Sequence, residues 1–223
     1  MRFKLIASFV FILGLIVAPM AQADQISGNM GEAGQPVRIV GFGDSLMAGY
    51  QLSPGDAFPV RLEQALKKAG YDVVIENAGV SGDTTAGGLA RLDWSVPDGT
   101  RIVILELGAN DALRGVSPEI TEKNLDAMLA RLKQRGIAVI LAGMIAPPNM
   151  GKDYGDRFNA IYPRLAQKYD VPLYSFFLDG VAAQKNLLLE DGMHPNPNGV
   201  ARMVEGFLPT VEAALRELGK ERT

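Results

Sequence analysis

Cysteine is absent from the 223 residues, and histidine and tryptophan occur once each. Without cysteine there can be no disulfide framework, no thiolate-based zinc or redox centre and no lipid-modified N-terminal cysteine. A single imidazole excludes histidine-rich metal clusters, and no metal or cofactor is expected. Basic charge is also in short supply, with 22 Lys and Arg against 25 Asp and Glu and a formal net charge of -3. That balance argues against nucleic acid as a partner, because phosphate binding needs a basic face. Internal repeats and low-complexity tracts are missing as well. What is present, 48% hydrophobic residues with 25 Gly and 13 Pro, suits one compact domain with a sizeable core.

The N-terminus has a different character from the rest. Arg2 and Lys4 precede an uncharged apolar run from Leu5 to Ala18, then Pro19 and the small-residue site Ala21-Gln22-Ala23. The run is shorter than the roughly 20 residues that span a bilayer. This pattern predicts a secretory signal peptide over 1–23, cut after Ala23, and hence a periplasmic or secreted protein with no membrane span after cleavage. Residues 24–35 lack apolar periodicity and read as a flexible leader. The domain itself is expected over 36–223.

Within that domain, short apolar runs alternate with helical patterns. Strands are expected over 37–42, 72–77, 101–107, 137–143 and 172–176. Three of these runs are rich in Val and Ile and nearly continuous, as in parallel strands covered on both faces. Helices are expected over 58–69, 118–135, 156–169 and 198–218, with a short one near 84–92. Ser117 and Pro118 give the second of these an N-cap and a first residue, and Gly136 ends it. Leu125, Met128, Leu129 and Leu132 form its apolar face. In the last helix, Val200, Met203, Val204, Phe207, Leu208 and Val211 form a stripe that reads as packing on a sheet. The alternation predicts an open, doubly wound α/β sheet, whose ligands bind at the carboxyl ends of the strands.

Chemistry is therefore sought in the loops after the strands. After the first comes Gly43-Asp44-Ser45-Leu46, with a serine where a helix begins. That serine could be an ordinary cap, but no phosphate-loop Lys follows, Leu46 stands in place of a dinucleotide-binding glycine, and Met47 breaks the G-x-S-x-G elbow. After the second lies Ser81-Gly82-Asp83-Thr84, where Gly82 can bring its N–H close to a ligand. After the third lies Gly108-Ala109-Asn110-Asp111, whose Asn110 amide can donate to a developing oxyanion or merely close a turn. After the fifth lies Asp191-Gly192-Met193-His194. Asp191 can accept the Nδ1–H of His194 and leave Nε2 facing a hydroxyl, which is the base-and-orienter half of a triad.

Taken together, Gly43–Leu46, Gly82, Gly108–Asp111 and Asp191–His194 resemble the four blocks of the SGNH (GDSL-type) hydrolase family, in the family's order. Ser81–Thr84, Gly87–Leu92 and Asn110–Gly115 are most similar to its thioesterase I, lysophospholipase and arylesterase branch. The resemblance implies a three-layer α/β/α, flavodoxin-like fold with a five-stranded parallel sheet. It also implies a serine hydrolase acting on acyl thioesters, lysophospholipids and aryl esters. Ser45 would be the nucleophile, His194 the base and Asp191 its orienter. The Ser45 N–H, the Gly82 N–H and Asn110 would form the oxyanion hole.

Substrate walls are expected at Leu46, Leu113, Ile145, Pro147 and Met193, and more widely at Met47, Pro148, Met150, Tyr154 and Phe158. The expected partner is a small-molecule or lipid ester, and the chain is expected to be a monomer. Loops 112–117 and 147–155 are the expected mobile elements. Glu106, inside an apolar strand, is expected to pair with an arginine, and Trp94 to pack within a loop. Rival readings are a carbohydrate O-deacetylase on the same triad and a non-catalytic binding module.

Overall fold

Buried on both faces, the Val- and Ile-rich runs become the strands of one all-parallel sheet. The computed structural model describes residues 35–220. The signal-peptide reading and nearly all of the leader lie outside the described residues. The strands are β1 (Val37–Gly43), β2 (Val73–Gly79), β3 (Ile102–Glu106), β4 (Ala138–Ala142) and β5 (Leu173–Tyr174), in the spatial order β2-β1-β3-β4-β5. Every pairing is parallel, as expected of a flavodoxin-like doubly wound sheet. Central β3 is buried along its whole length, whereas edge strand β2 alternates, with one face turned to solvent.

Helices cover the sheet on both sides. They are α1 (Ser45–Ala48), α2 (Phe58–Lys68), α3 (Thr85–Ser95), α4 (Ala109–Leu113), α5 (Pro118–Gln134), α6 (Lys152–Asn159), α7 (Ile161–Tyr169) and α8 (Pro197–Lys220). Helix α2 packs on α8, while α5 packs on α3 and α7. The expected faces of α5 and α8 turn inward, with Leu208 the only partly exposed member of the α8 stripe. Among the described residues, no helix is long and apolar enough to cross a membrane.

Two elements depart from the sequence reading. The helix expected over 156–169 is two, α6 and α7, meeting at Ala160. Pro163 explains the break, since it has no N–H to give the carbonyl of Asn159 and its ring crowds that carbonyl. The fifth strand shrinks to Leu173–Tyr174, after which the Gly143 N–H donates to the Tyr174 carbonyl and the Phe177 N–H to the Gly143 carbonyl as the chain leaves the sheet edge. Trp94 is not loop packing: it lies on α3 and is the most exposed large apolar side chain among the described residues.

Candidate active site

The four strand-end loops converge on one cavity of about 530 Å³. Strand β1 delivers Ser45 directly into α1, where Asp44 is the N-cap and accepts the Leu46 N–H at 3.0 Å. So short a helix needs close support from the sheet. Gly43 allows it, because a Cβ there would sit 2.8 Å from the Met47 Cβ and 2.6 Å from the Glu106 carbonyl oxygen. Gly108 opens α4 at φ 123°, a backbone that L side chains rarely adopt, with the Tyr162 hydroxyl where a Cβ would project.

A continuous hydrogen-bonded line crosses the cavity. His194 Nε2 lies 2.8 Å from Ser45 Oγ, and His194 Nδ1 lies 2.6 Å from Asp191 Oδ2. The other Asp191 oxygen accepts the backbone N–H groups of Met193 and His194, at 2.9 and 3.0 Å. Those two backbone donors hold the Asp191 carboxyl at about 2, so it stays anionic wherever an imidazole base can work. The loop itself is fixed by Leu189 N–H donating to the His194 carbonyl and by the Leu188–Pro195 bridge. Asn196 caps the start of α8 through the N–H groups of Asn198 and Gly199.

Gly82 and Asn110 line the same cavity as Ser45. Gly82 has φ 81°, and its carbonyl accepts from Arg114 Nη2 at 2.7 Å. Both hydrogens of the Asn110 amide already have acceptors: Asp44 Oδ2 at 3.0 Å and the Asp83 carbonyl at 2.9 Å. An oxyanion must therefore share or displace one of these bonds. Asp111, next in the chain, points into the protein and accepts from the Thr85 backbone and from the hydroxyls of Thr85 and Thr121. It ties α4 to the helices on either side.

Beneath Ser45 lies a pair of buried carboxyls. Glu106 accepts the Asp44 N–H at 3.2 Å through Oε2, while its Oε1 is buried without a hydrogen-bond partner. Among the described residues, the expected arginine partner is not there. Arg91 is engaged elsewhere: it pairs with Asp83 at 2.7 Å, donates to the Gly43 and Ala78 carbonyls, and lies over the Phe42 ring. Burial first, and the neighbouring Asp44 charge second, push the Glu106 carboxyl well above the usual range. Burial likewise raises Asp44 to about 6, against the Leu46 N–H, the neighbouring His194 and Asn110, which lower it.

The five principal wall residues, Leu46, Leu113, Ile145, Pro147 and Met193, all line the cavity, and so does Pro148. The wider set is corrected: Met47 and Phe158 are fully buried in the core, and neither Met150 nor Tyr154 lines the cavity. Tyr154 instead donates to the Val116 carbonyl at 2.8 Å, so the two loops expected to be mobile are fastened to each other. Sequence reasoning missed Tyr50, Phe176, Leu178 and Leu188, which also line the cavity. Three of them lie in or beside the irregular segment between β5 and α8, where periodicity gives no signal. Tyr50 follows the serine block closely enough to have been considered.

The sequence pattern of the GDSL-like lipase/acylhydrolase family matches residues 42–202. An arylesterase of Vibrio mimicus is 43% identical over 164 residues, spanning 72% of this chain and 80% of that protein. Thioesterase 1/protease 1/lysophospholipase L1 of Escherichia coli K12 is 40% identical over 155 residues, spanning 69% of this chain and 73% of that protein. The crystal structure of AlinE4, an SGNH-hydrolase family esterase, superposes with a TM-score of 0.69 at 46% identity, covering 82% of this chain and 98% of that one.

Proposed function

This chain belongs to the GDSL-like lipase/acylhydrolase family and is an ester hydrolase of its SGNH type, and from that premise we propose that it works by acyl transfer through Ser45. The observation that carries the reading is the unbroken line from Ser45 Oγ through His194 to Asp191. Ser45 Oγ attacks the carbonyl carbon while His194 Nε2 takes its proton. Asp191 holds the ring with Nδ1 protonated and stabilises the imidazolium. The tetrahedral oxyanion sits among the Ser45 N–H, the Gly82 N–H and the Asn110 amide. His194 then returns the proton to the departing alkoxide or thiolate, the bond from carbonyl carbon to leaving group breaks, and an acyl-serine remains. A water that gives its proton to the same imidazole attacks the acyl carbon, and Ser45 is released with its own proton restored.

The aliphatic lining, from Leu46, Leu113, Ile145, Leu178, Leu188 and Met193, fits an acyl chain better than a sugar ring. We read the substrates as aryl esters, acyl thioesters or lysophospholipids, the classes named by the relatives. Export as a monomer, after removal of residues 1–23, completes the reading. Trp94, the indole a carbohydrate reading would use, takes no part in the cavity wall.

Hydrolysis of p-nitrophenyl esters from acetyl to palmitoyl, with Ser45→Ala beside the wild type, tests the mechanism. Activity on medium or long chains that drops by roughly 10⁴-fold or more in the variant is expected. Turnover that survives Ser45→Ala would overturn the acyl-serine mechanism. Activity confined to acetyl would overturn the acyl-chain assignment.

A further inference from the structure

We infer that Tyr50 sets leaving-group specificity: its ring is the platform on which an aromatic alcohol is held while His194 protonates it. The inference deepens the acyl-serine reading and rests on it.

Tyr50 is placed by the same turn that presents the nucleophile. After α1, the N–H groups of Gly49 and Tyr50 both donate to the Ser45 carbonyl, at 3.2 and 3.1 Å. The next residue, Gln51, is a non-glycine at φ 58°, a left-handed conformation that L residues adopt only at a cost. The turn brings the Tyr50 ring to 4.5 Å from the His194 ring, centroid to centroid, at an interplanar angle of 39°. The ring is 38% exposed and lines the cavity. Among the described residues its hydroxyl is met only by the exposed Gln51 side chain, at 3.1 Å, and no buried polar bond there accounts for the ring's position.

Sheet order separates this ring from the part of the cavity wall that follows β4. Helix α1 packs on β2, at one end of the order, whereas Met144 to Pro148 follow β4, with β1 and β3 in between. Of the aromatic side chains that line the cavity, Tyr50 is the one in ring contact with His194. The leaving oxygen must come within hydrogen-bond reach of His194 Nε2 to receive its proton. A ring bonded to that oxygen and turned toward Tyr50 can come within the distance, about 4.5–7 Å between centroids, at which aromatic pairs attract. An alkyl group at the same place gains area burial but no ring pairing.

The test is the ratio of kcat/KM for phenyl butyrate to that for ethyl butyrate, which share an acyl group and differ in what leaves. In Tyr50→Leu and Tyr50→Ala the ratio is expected to fall about 3- to 10-fold, the effect of one ring pair, and Tyr50→Phe is expected to restore it. Leu keeps apolar bulk without the ring, and the ratio is read within each variant, so partial loss of folded protein cancels. A ratio unchanged in Leu and Ala, whatever the absolute rates, would overturn the inference and leave Tyr50 as packing for His194. A ratio that falls equally in Phe would overturn the ring argument in favour of the hydroxyl. Ser45→Ala run on both esters keeps the two readings apart: survival of activity there sinks the mechanism, not the Tyr50 assignment alone.

Discussion

At the scale of single residues, the Asn110 amide is oriented by Asp44. An amide free to rotate is a poor oxyanion donor, because its orientation must be fixed again in every cycle. Here Asp44 Oδ2 and the Asp83 carbonyl hold both hydrogens in a defined plane beside Ser45. Asn110→Ala is expected to lower kcat by about 10²–10³ with a smaller change in KM, and a loss below tenfold would remove Asn110 from the oxyanion hole. Asp44→Ala is expected to lower kcat by about tenfold and to add little in the Asn110→Ala background, because both changes remove one unit. Full additivity in that double-mutant cycle would show that Asp44 acts through α1 instead. The serine, the histidine and their partners were legible in the sequence because each sits in a short block at a strand end. The Asp44 contact to Glu106 was not, since those residues are 62 apart and meet only through the pairing register of β1 and β3.

At the scale of elements, the loops that form the site are held by Arg91 of α3. Its guanidinium joins the carbonyl of Gly43 at the end of β1, the carbonyl of Ala78 in β2 and the carboxylate of Asp83 beside Gly82. Removing it leaves Asp83, only 12% exposed, without its cation and takes one donor from each of two carbonyls, of which Gly43 keeps the Val80 N–H. Arg91→Ala is expected to cost about 3–5 kcal/mol of stability, read from urea unfolding. Arg91→Lys should recover only part of this, since an ammonium cannot reproduce the planar fork. A loss within the roughly 0–1 kcal/mol of a surface pair would show that the arginine does not hold these loops. The strand and helix pattern was readable from Val and Ile runs and from caps such as Ser117. The junction of α6 and α7 was written in Pro163, yet apolar spacing runs on through it and hides the break. Arg91 carried no such signal, because its meaning lies in three segments that only the sheet brings together.

At the scale of the whole molecule, the domain keeps an uncompensated carboxyl at its centre. Glu106 sits in β3, fully buried, and among the described residues one of its oxygens has no hydrogen-bond partner and no arginine pairs with it. A sheet of Val, Ile and Leu would be more stable with an apolar side chain there, so the group belongs to the support of the nucleophile loop and not to the core. Folding raises its pKa, through burial first and Asp44 second. A carboxyl raised in this way favours the native state most below its unfolded value, and that contribution is lost as pH rises through the folded value. Glu106→Gln keeps the shape and an acceptor for the Asp44 N–H, but has no proton to lose. The stability of the wild type relative to Glu106→Gln is therefore expected to be lower at pH 9 than at pH 5 in urea unfolding. Asp191, whose carboxyl is depressed to about 2, acts in the opposite sense. Its contribution is present above the unfolded value of 3.8 and fades only as pH falls toward 2, outside that window. A stability difference that stays flat between pH 5 and 9 would mean that Glu106 does not titrate there, and the buried pair would then carry its charge in some other way. A decline would show that ionising Glu106 destabilises the domain, a penalty set by a residue outside the cavity wall.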